Sequence, residues 1–304
     1  NSNPALENEA DVMGAKAAQG KMADVAGKGS GVQKKENTIQ MLKKDNFPWT
    51  GIVKNATLLA LRNNPNGDVL VDMPDGTLVT VKGINGGWLE IEVDTTQTGI
   101  ILNNESKKIL SGDILKGYAG HSFIDDAVSS EMVEMLGEEA KWKPSGPNSG
   151  NSFQIWASAT TESTAPTLQS VTTINCWEMV LLAAYRSGAV SWKWIHDLYT
   201  NSTGNWYDEL PNRMTRSGTV AYDQTTKKPE PDRGMLVFFD GASHVSLATG
   251  NGDEIFTFWP PPNTAFTAGG TVDDVKLSTI EELSVWMENN FGSKPNVTIG
   301  SPAW

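Results

Sequence analysis

Between residues 47 and 124 short apolar–polar runs alternate with glycine turns, a pattern that leaves no room there for a long helix. The runs are Gly51-Ile52-Val53, Val69-Leu70-Val71, Thr77-Leu78-Val79-Thr80-Val81 and Trp88-Leu89-Glu90-Ile91-Glu92-Val93. Successive side chains of a strand point to opposite faces, so each run buries one face and wets the other. Asn66-Gly67, Asp75-Gly76 and Asn85-Gly86-Gly87 separate the runs, and such pairs supply the positive φ that tight turns need. Short strands joined this way predict a small antiparallel barrel over residues 46–125. Across all 304 residues, 29 Gly and 15 Pro with an apolar fraction of 38% favour an α+β architecture over a helical bundle. The length suits two modest domains plus a tail.

The formal charge of −12 argues against a nucleic-acid partner, because binding phosphates needs clustered Lys and Arg. The same acidity repels an anionic membrane surface. A single Cys excludes an intramolecular disulfide and a Cys-based zinc site. No membrane span, metal site or cofactor site is legible, and no signal peptide is visible in a chain that begins at Asn1. Residues 1–45, rich in Ala, Gly, Lys, Asp and Glu, read as a flexible or weakly helical arm or as a docking or delivery segment; composition does not choose. Residues 126–150 read as a helix over Asp126–Ala140 followed by a Pro- and Gly-rich linker. A second domain is expected over residues 151–304.

The only Cys lies in Ile174-Asn175-Cys176-Trp177-Glu178, ahead of the apolar run Met179 to Tyr185. Asn175 is a good helix N-cap, and Glu178 three residues on completes a capping box. The helix should stop near Gly188, with Arg186 in its last turn. Cys176 then takes the first helical position, where the macrodipole and unbonded amides favour a thiolate and could hold an oxyanion. A buried structural Cys is the ordinary alternative.

One of three histidines lies in the strand pattern Ser243 to Thr249, between a strand at Met235–Phe239 and another at Glu254–Trp259. Asp240-Gly241 and Asn251-Gly252 mark the turns of this meander. His244, Ser246 and Ala248 share a face by alternation; two of them are small, so the Cys176 helix can pack closely there. Imidazole beside a thiol can take its proton and return it to a leaving amine. A turn at Asn251-Gly252 pairs Ala248 with Ile255, Ser246 with Thr257 and His244 with Trp259, which makes Thr257 the polar candidate beside the imidazole. A three-residue loop would instead select Glu254, Phe256 and Phe258, with Glu254 about 13 Å along the strand from His244, too far for a hydrogen bond. A backbone carbonyl or Asn263 is the other possible orienting group. His196 falls on an amphipathic helix as a structural residue and backup base, and His121 reads as a surface residue. A last helix with a capping box starts at Ser278-Thr279-Ile280-Glu281.

Two resemblances follow from these residues. Leu61-Arg62-Asn63-Asn64-Pro65, Gly76 to Val81, Gly87-Trp88 to Ile91 and Gly117-Tyr118-Ala119-Gly120 resemble a bacterial SH3-like domain, with an insertion over Asp94–Leu115. Such modules imply targeting to wall peptides or partners, or a spacer. Cys176 at a helix start, Arg233 to Phe239, and His244 to Gly252 resemble the papain-like fold of NlpC-type cell-wall endopeptidases and related bacterial effector hydrolases. Those wall enzymes have Asp-Cys-Ser-Gly where this chain has Asn175-Cys176-Trp177-Glu178. The resemblance implies an α+β chain, an SH3-like β-barrel followed by a papain-like domain whose central helix packs on an antiparallel sheet. It implies a cysteine hydrolase cleaving an amide bond with Cys176 and His244; such enzymes place a third polar group, often His, on the next strand, where the register of this chain offers Thr257. Gln169 is the candidate oxyanion donor, and Trp177 and Trp259 are the candidates for substrate contact, although core packing is the default for tryptophans here. The implied substrate is a peptidoglycan peptide or a target-cell protein, for a secreted or delivered effector with an immunity protein as possible partner. A deamidase or transglutaminase-like effector and a catalytically inactive binding module are the alternatives.

Overall fold

The computed structural model describes residues 47–102, 114–143, 150–201, 206–259 and 272–304. The N-terminal arm, the linker's 144–149 and Asn263 lie outside the described residues. The chain divides into two compact units, Asn1–Asp125 and Asp126–Trp304.

The first unit is one antiparallel sheet. Its strands are β1 (Trp49–Val53), β2 (Leu58–Arg62), β3 (Val69–Pro74), β4 (Leu78–Asn85), β5 (Trp88–Asp94), β6 (Ile101–Leu102), β7 (Ile114–Gly120) and β8 (Ile124–Asp126). Their order is β6-β3-β2-β7-β5-β4-β1-β8, and no pairing joins β6 to β8 among the described residues. The inward residues, among them Val53, Leu61, Val71, Val79, Leu89, Ile91 and Ala119, gather in a single core. β5 and β7 pair without a break from Trp88↔Gly120 to Asp94↔Ile114. Glycine is required at position 117, because a Cβ there would sit 2.4 Å from the Arg62 carbonyl oxygen. The expected insertion contributes β6, which pairs with β3.

The second unit opens with α1 (Ala127–Glu134), capped by Asp126, whose carboxylate accepts from the Ser129 amide at 2.8 Å. The helix expected to reach Ala140 ends at Glu134. Gly137 takes a positive φ of 82°, and Glu139–Trp142 turns into strand β9. β9 pairs in parallel with β10 (Thr173–Ile174) and antiparallel with β15 (Val272–Asp274). Between them lies α2 (Ser152–Ala157), capped by Asn151. Then come α3 (Cys176–Arg186), α4 (Trp192–Thr200) and α5 (Trp206–Met214). The main sheet is built from β11 (Val220–Ala221), β12 (Leu236–Phe239), β13 (His244–Ala248), β14 (Glu254–Thr257), β16 (Lys276–Thr279) and β17 (Val297–Gly300), in the order β11-β17-β12-β13-β14-β16. β17, the last strand in the chain, lies between β11 and β12. α6 (Ile280–Phe291) begins one residue later than expected, with Thr279 as N-cap and Glu282 closing the box.

α3 packs against β13 and α1. All five residues of β13 are buried, as are nine of the eleven in α3. That burial fits the apolar run Met179 to Ala184, which gives α3 no wet face.

Candidate active site

The first turn of α3 is built as its sequence requires. Asn175 has extended backbone, and its side chain accepts from the Glu178 amide at 3.0 Å. The Glu178 carboxylate reaches back to the Asn175 amide at 2.9 Å. Cys176 therefore occupies the first helical position. Cys176 is 2% exposed, and the backbone amide of Val245, the residue after His244, is among the groups that favour its thiolate. The helix that opens at Cys176 thus packs on the strand that opens at His244.

His244 is fully buried. Its Nε2 lies 2.8 Å from Thr257 Oγ1 and 2.9 Å from Ser246 Oγ, and Ser246 donates to Thr257 at 3.2 Å. The other ring nitrogen, Nδ1, is buried and makes no hydrogen bond among the described residues. The hairpin register is the expected one, with Leu247↔Phe256 and Ala248↔Ile255. It closes with the Thr249 amide donating to the Glu254 carbonyl at 3.0 Å, so its loop is longer than two residues while the cross-strand pairs are kept. Thr257 therefore stands beside the imidazole. Ser246, two residues along the same strand face, was the partner that alternation had already placed there.

The expectation of a thiolate does not survive the burial. Desolvation pushes the Cys176 thiol up to about 12, and the Glu178 carboxylate adds to the rise. The amides of Val245, Trp177 and Cys176 itself act the other way. Three pKa units above an ordinary thiol correspond to about 4 kcal/mol. A helix terminus typically returns about 0.3–1 kcal/mol, so burial wins. His244 moves in the opposite sense: burial lowers it to about 3, and the Lys276 ammonium pushes the same way. The pair rests as neutral thiol and neutral imidazole.

Aromatic rings pack around His244. The Trp259 ring lies edge-on to His244 with centroids 4.7 Å apart, and it also meets Trp142 at 5.9 Å and Trp286 at 5.3 Å. Trp259 is 5% exposed and Trp177 1%, the latter against Tyr199. In this structure both indoles pack the core. Gln169 is exposed on a short 3-10 turn, Leu168–Ser170, and no hydrogen bond ties it to the Cys–His pair among the described residues. His196 stacks on Trp192 at 4.7 Å, with Nδ1 3.0 Å from the Ala157 carbonyl, as suits a structural histidine. Beyond Thr257, on β16, Lys276 pairs with the buried carboxylate of Asp273.

No family model matches the chain, and no curated protein matches it. Among solved structures it is similar to NlpC2 and NlpC1 from Trichomonas vaginalis, each at 15% identity and a TM-score of 0.27. The likeness covers 84% of this chain and 73% and 69% of theirs, respectively.

Proposed function

We propose that the second unit is a cysteine hydrolase of amide bonds, with Cys176 as nucleophile and His244 as its base. The observation that carries this is the asymmetry of the imidazole. Nε2 is held by two hydroxyls, while Nδ1 has no partner among the described residues, on the strand against which the Cys176 helix packs. With its proton on Nε2, donated to Ser246 and Thr257, the ring presents a bare Nδ1 lone pair. Nδ1 takes the thiol proton as Sγ attacks the substrate carbonyl carbon. The tetrahedral intermediate then expels the amine, which leaves with the proton from Nδ1, and a thioester forms on Cys176. Water, activated by the same nitrogen, cleaves the thioester and restores the thiol. The two hydroxyl oxygens accept from Nε2–H before and after the ring is charged, so the orienting bonds need no reorganisation. Because the thiol rests protonated, proton transfer accompanies attack rather than preceding it.

The test is hydrolysis. Purified protein is incubated with bacterial sacculi and, separately, with a mixture of unstructured peptides, and new amines are identified by mass spectrometry. The proposal expects amide cleavage that falls at least about a thousandfold in Cys176→Ala and in His244→Ala. Muropeptides from the sacculi would assign a wall peptide, and cleaved peptides a protein substrate. Cleavage that persists in Cys176→Ala, or no cleavage of either substrate, contradicts the proposal.

A further inference from the structure

Glu178 completes a capping box, yet such carboxylates ordinarily sit at the surface of a helix end, and this one is fully buried. Removing a carboxylate from water costs several kcal/mol unless donors replace the solvent. Three elements supply them. Asn151, the N-cap of α2, donates through Nδ2 to Oε2 at 2.6 Å. The Asn175 amide, at the start of α3, donates to the same oxygen at 2.9 Å. The Tyr199 hydroxyl, on α4, donates to Oε1. Asn151 is itself fixed: its Oδ1 accepts from the Gln154 amide at 3.1 Å and its Nδ2 also donates to the Lys143 carbonyl at 3.0 Å. One carboxylate therefore clamps the turn that carries Cys176 to two other helices.

We infer that Glu178 is a positioning residue for Cys176, acting through this three-element clamp to hold the first turn of α3 against β13. The inference rests on the Cys–His reading of the site. Helix caps alone hold a turn by local bonds and leave it free to fray; a buried carboxylate shared between helices does not. The charge has a second effect, because it opposes ionisation of the neighbouring thiol. The other charged or titratable groups facing this region are His244 on β13, with Lys276 bearing on its ring, and the Tyr199 phenol that donates to the clamp. Arg186, at the far end of α3, is engaged by Glu138 and Glu131.

The experiment is the pH profile of Cys176 alkylation by iodoacetamide in full-length protein, with near-UV circular dichroism as the control for folding. Glu178→Gln keeps the size of the side chain and removes its charge. Its profile should move to lower pH, with alkylation about tenfold faster at a fixed pH on the rising limb. Tyr199→Phe keeps the carboxylate and deletes one donor. It should retain the fold while amide hydrogen exchange in residues 176–179 speeds up about tenfold. A folded Glu178→Gln protein with an unmoved profile overturns the inference, as does Tyr199→Phe with wild-type exchange in that turn. His244→Ala separates the two ideas. If it leaves thiol reactivity and hydrolysis unchanged, the Cys–His reading falls, while the Glu178 and Tyr199 effects on the turn are judged by their own results.

Discussion

Ser246→Ala, Thr257→Val and the two together form a double-mutant cycle on the group that orients the imidazole. Either hydroxyl alone satisfies Nε2, since the two lie at 2.9 and 2.8 Å from it. Each single change removes a hydrogen bond but strands no group, so each should cost about 1 kcal/mol. The double change leaves Nε2–H without a partner in a residue with no exposed surface. That adds the desolvation penalty of an unsatisfied buried donor, about 1–3 kcal/mol. The sum is about 3–5 kcal/mol, with a coupling of about 1–3 kcal/mol. The assay uses the sole Cys, which is buried in the second unit. A brief maleimide pulse, short against the slow alkylation of the native buried thiol, labels Cys176 in molecules whose second unit is unfolded, so labelling across a urea series reports its stability separately from the first unit. Hydrolysis should follow the same pattern, kept in either single variant and lost in the double. Energies that add to within about 0.5 kcal/mol would refute the reasoning, because they would mean that the hydroxyls do not share one imidazole nitrogen.

The titration of the pair sets the pH range of the second unit. His244 falls from an ordinary 6.5 to about 3, so between those values the unfolded chain binds the extra proton, and stability drops as pH falls, by about 1.4 kcal/mol per unit. Cys176 rises from 9.0 to about 12, so above pH 9 the unfolded chain releases the proton first and stability drops as pH rises. Urea midpoints read by tryptophan fluorescence should form a plateau from pH 6.5 to 9 with a fall on both sides. Lys276→Met removes the partner of the buried Asp273 carboxylate and a positive charge that depresses His244. It should destabilise the unit by about 3 kcal/mol and raise the imidazole titration followed by proton NMR. Gly250→Ala adds a Cβ 2.7 Å from the Arg233 Cβ at a φ of +82°. Calorimetry should show a loss of about 1–3 kcal/mol, because both contact and conformation are unfavourable.

The parts legible in the sequence are those that local rules determine. Asn175 and Glu178 mark the start of α3 because an N-cap and its box partner lie within four residues of each other. Period-two alternation places His244, Ser246 and Thr257 on one face, and the glycine-bearing turn sets their register. What stayed hidden depends on contacts distant in sequence. Val297–Gly300 enters the middle of the sheet by pairing with Leu236–Phe238, a partnership no local pattern announces. Glu139–Trp142, expected to end a helix and lead into a linker, is a strand because of partners at 173–174 and 272–274. The clamp around Glu178 stayed hidden because Asn151 and Tyr199, its donors, are 27 and 21 residues away. The thiolate expectation failed for the same reason. The helix end is written locally, but the depth of burial that overrides it is a property of the whole core.

The central claim is that Cys176 and His244 rest as a neutral pair and that proton transfer to Nδ1 accompanies attack. The most direct measurement is the ultraviolet absorbance of the thiolate in the native protein, taken as the difference from Cys176→Ser across a pH titration. The account predicts no thiolate signal between about pH 5 and pH 9, with imidazole NMR shifts of a neutral ring throughout that range. A thiolate signal near pH 6 together with a protonated His244 would establish a preformed ion pair and contradict it.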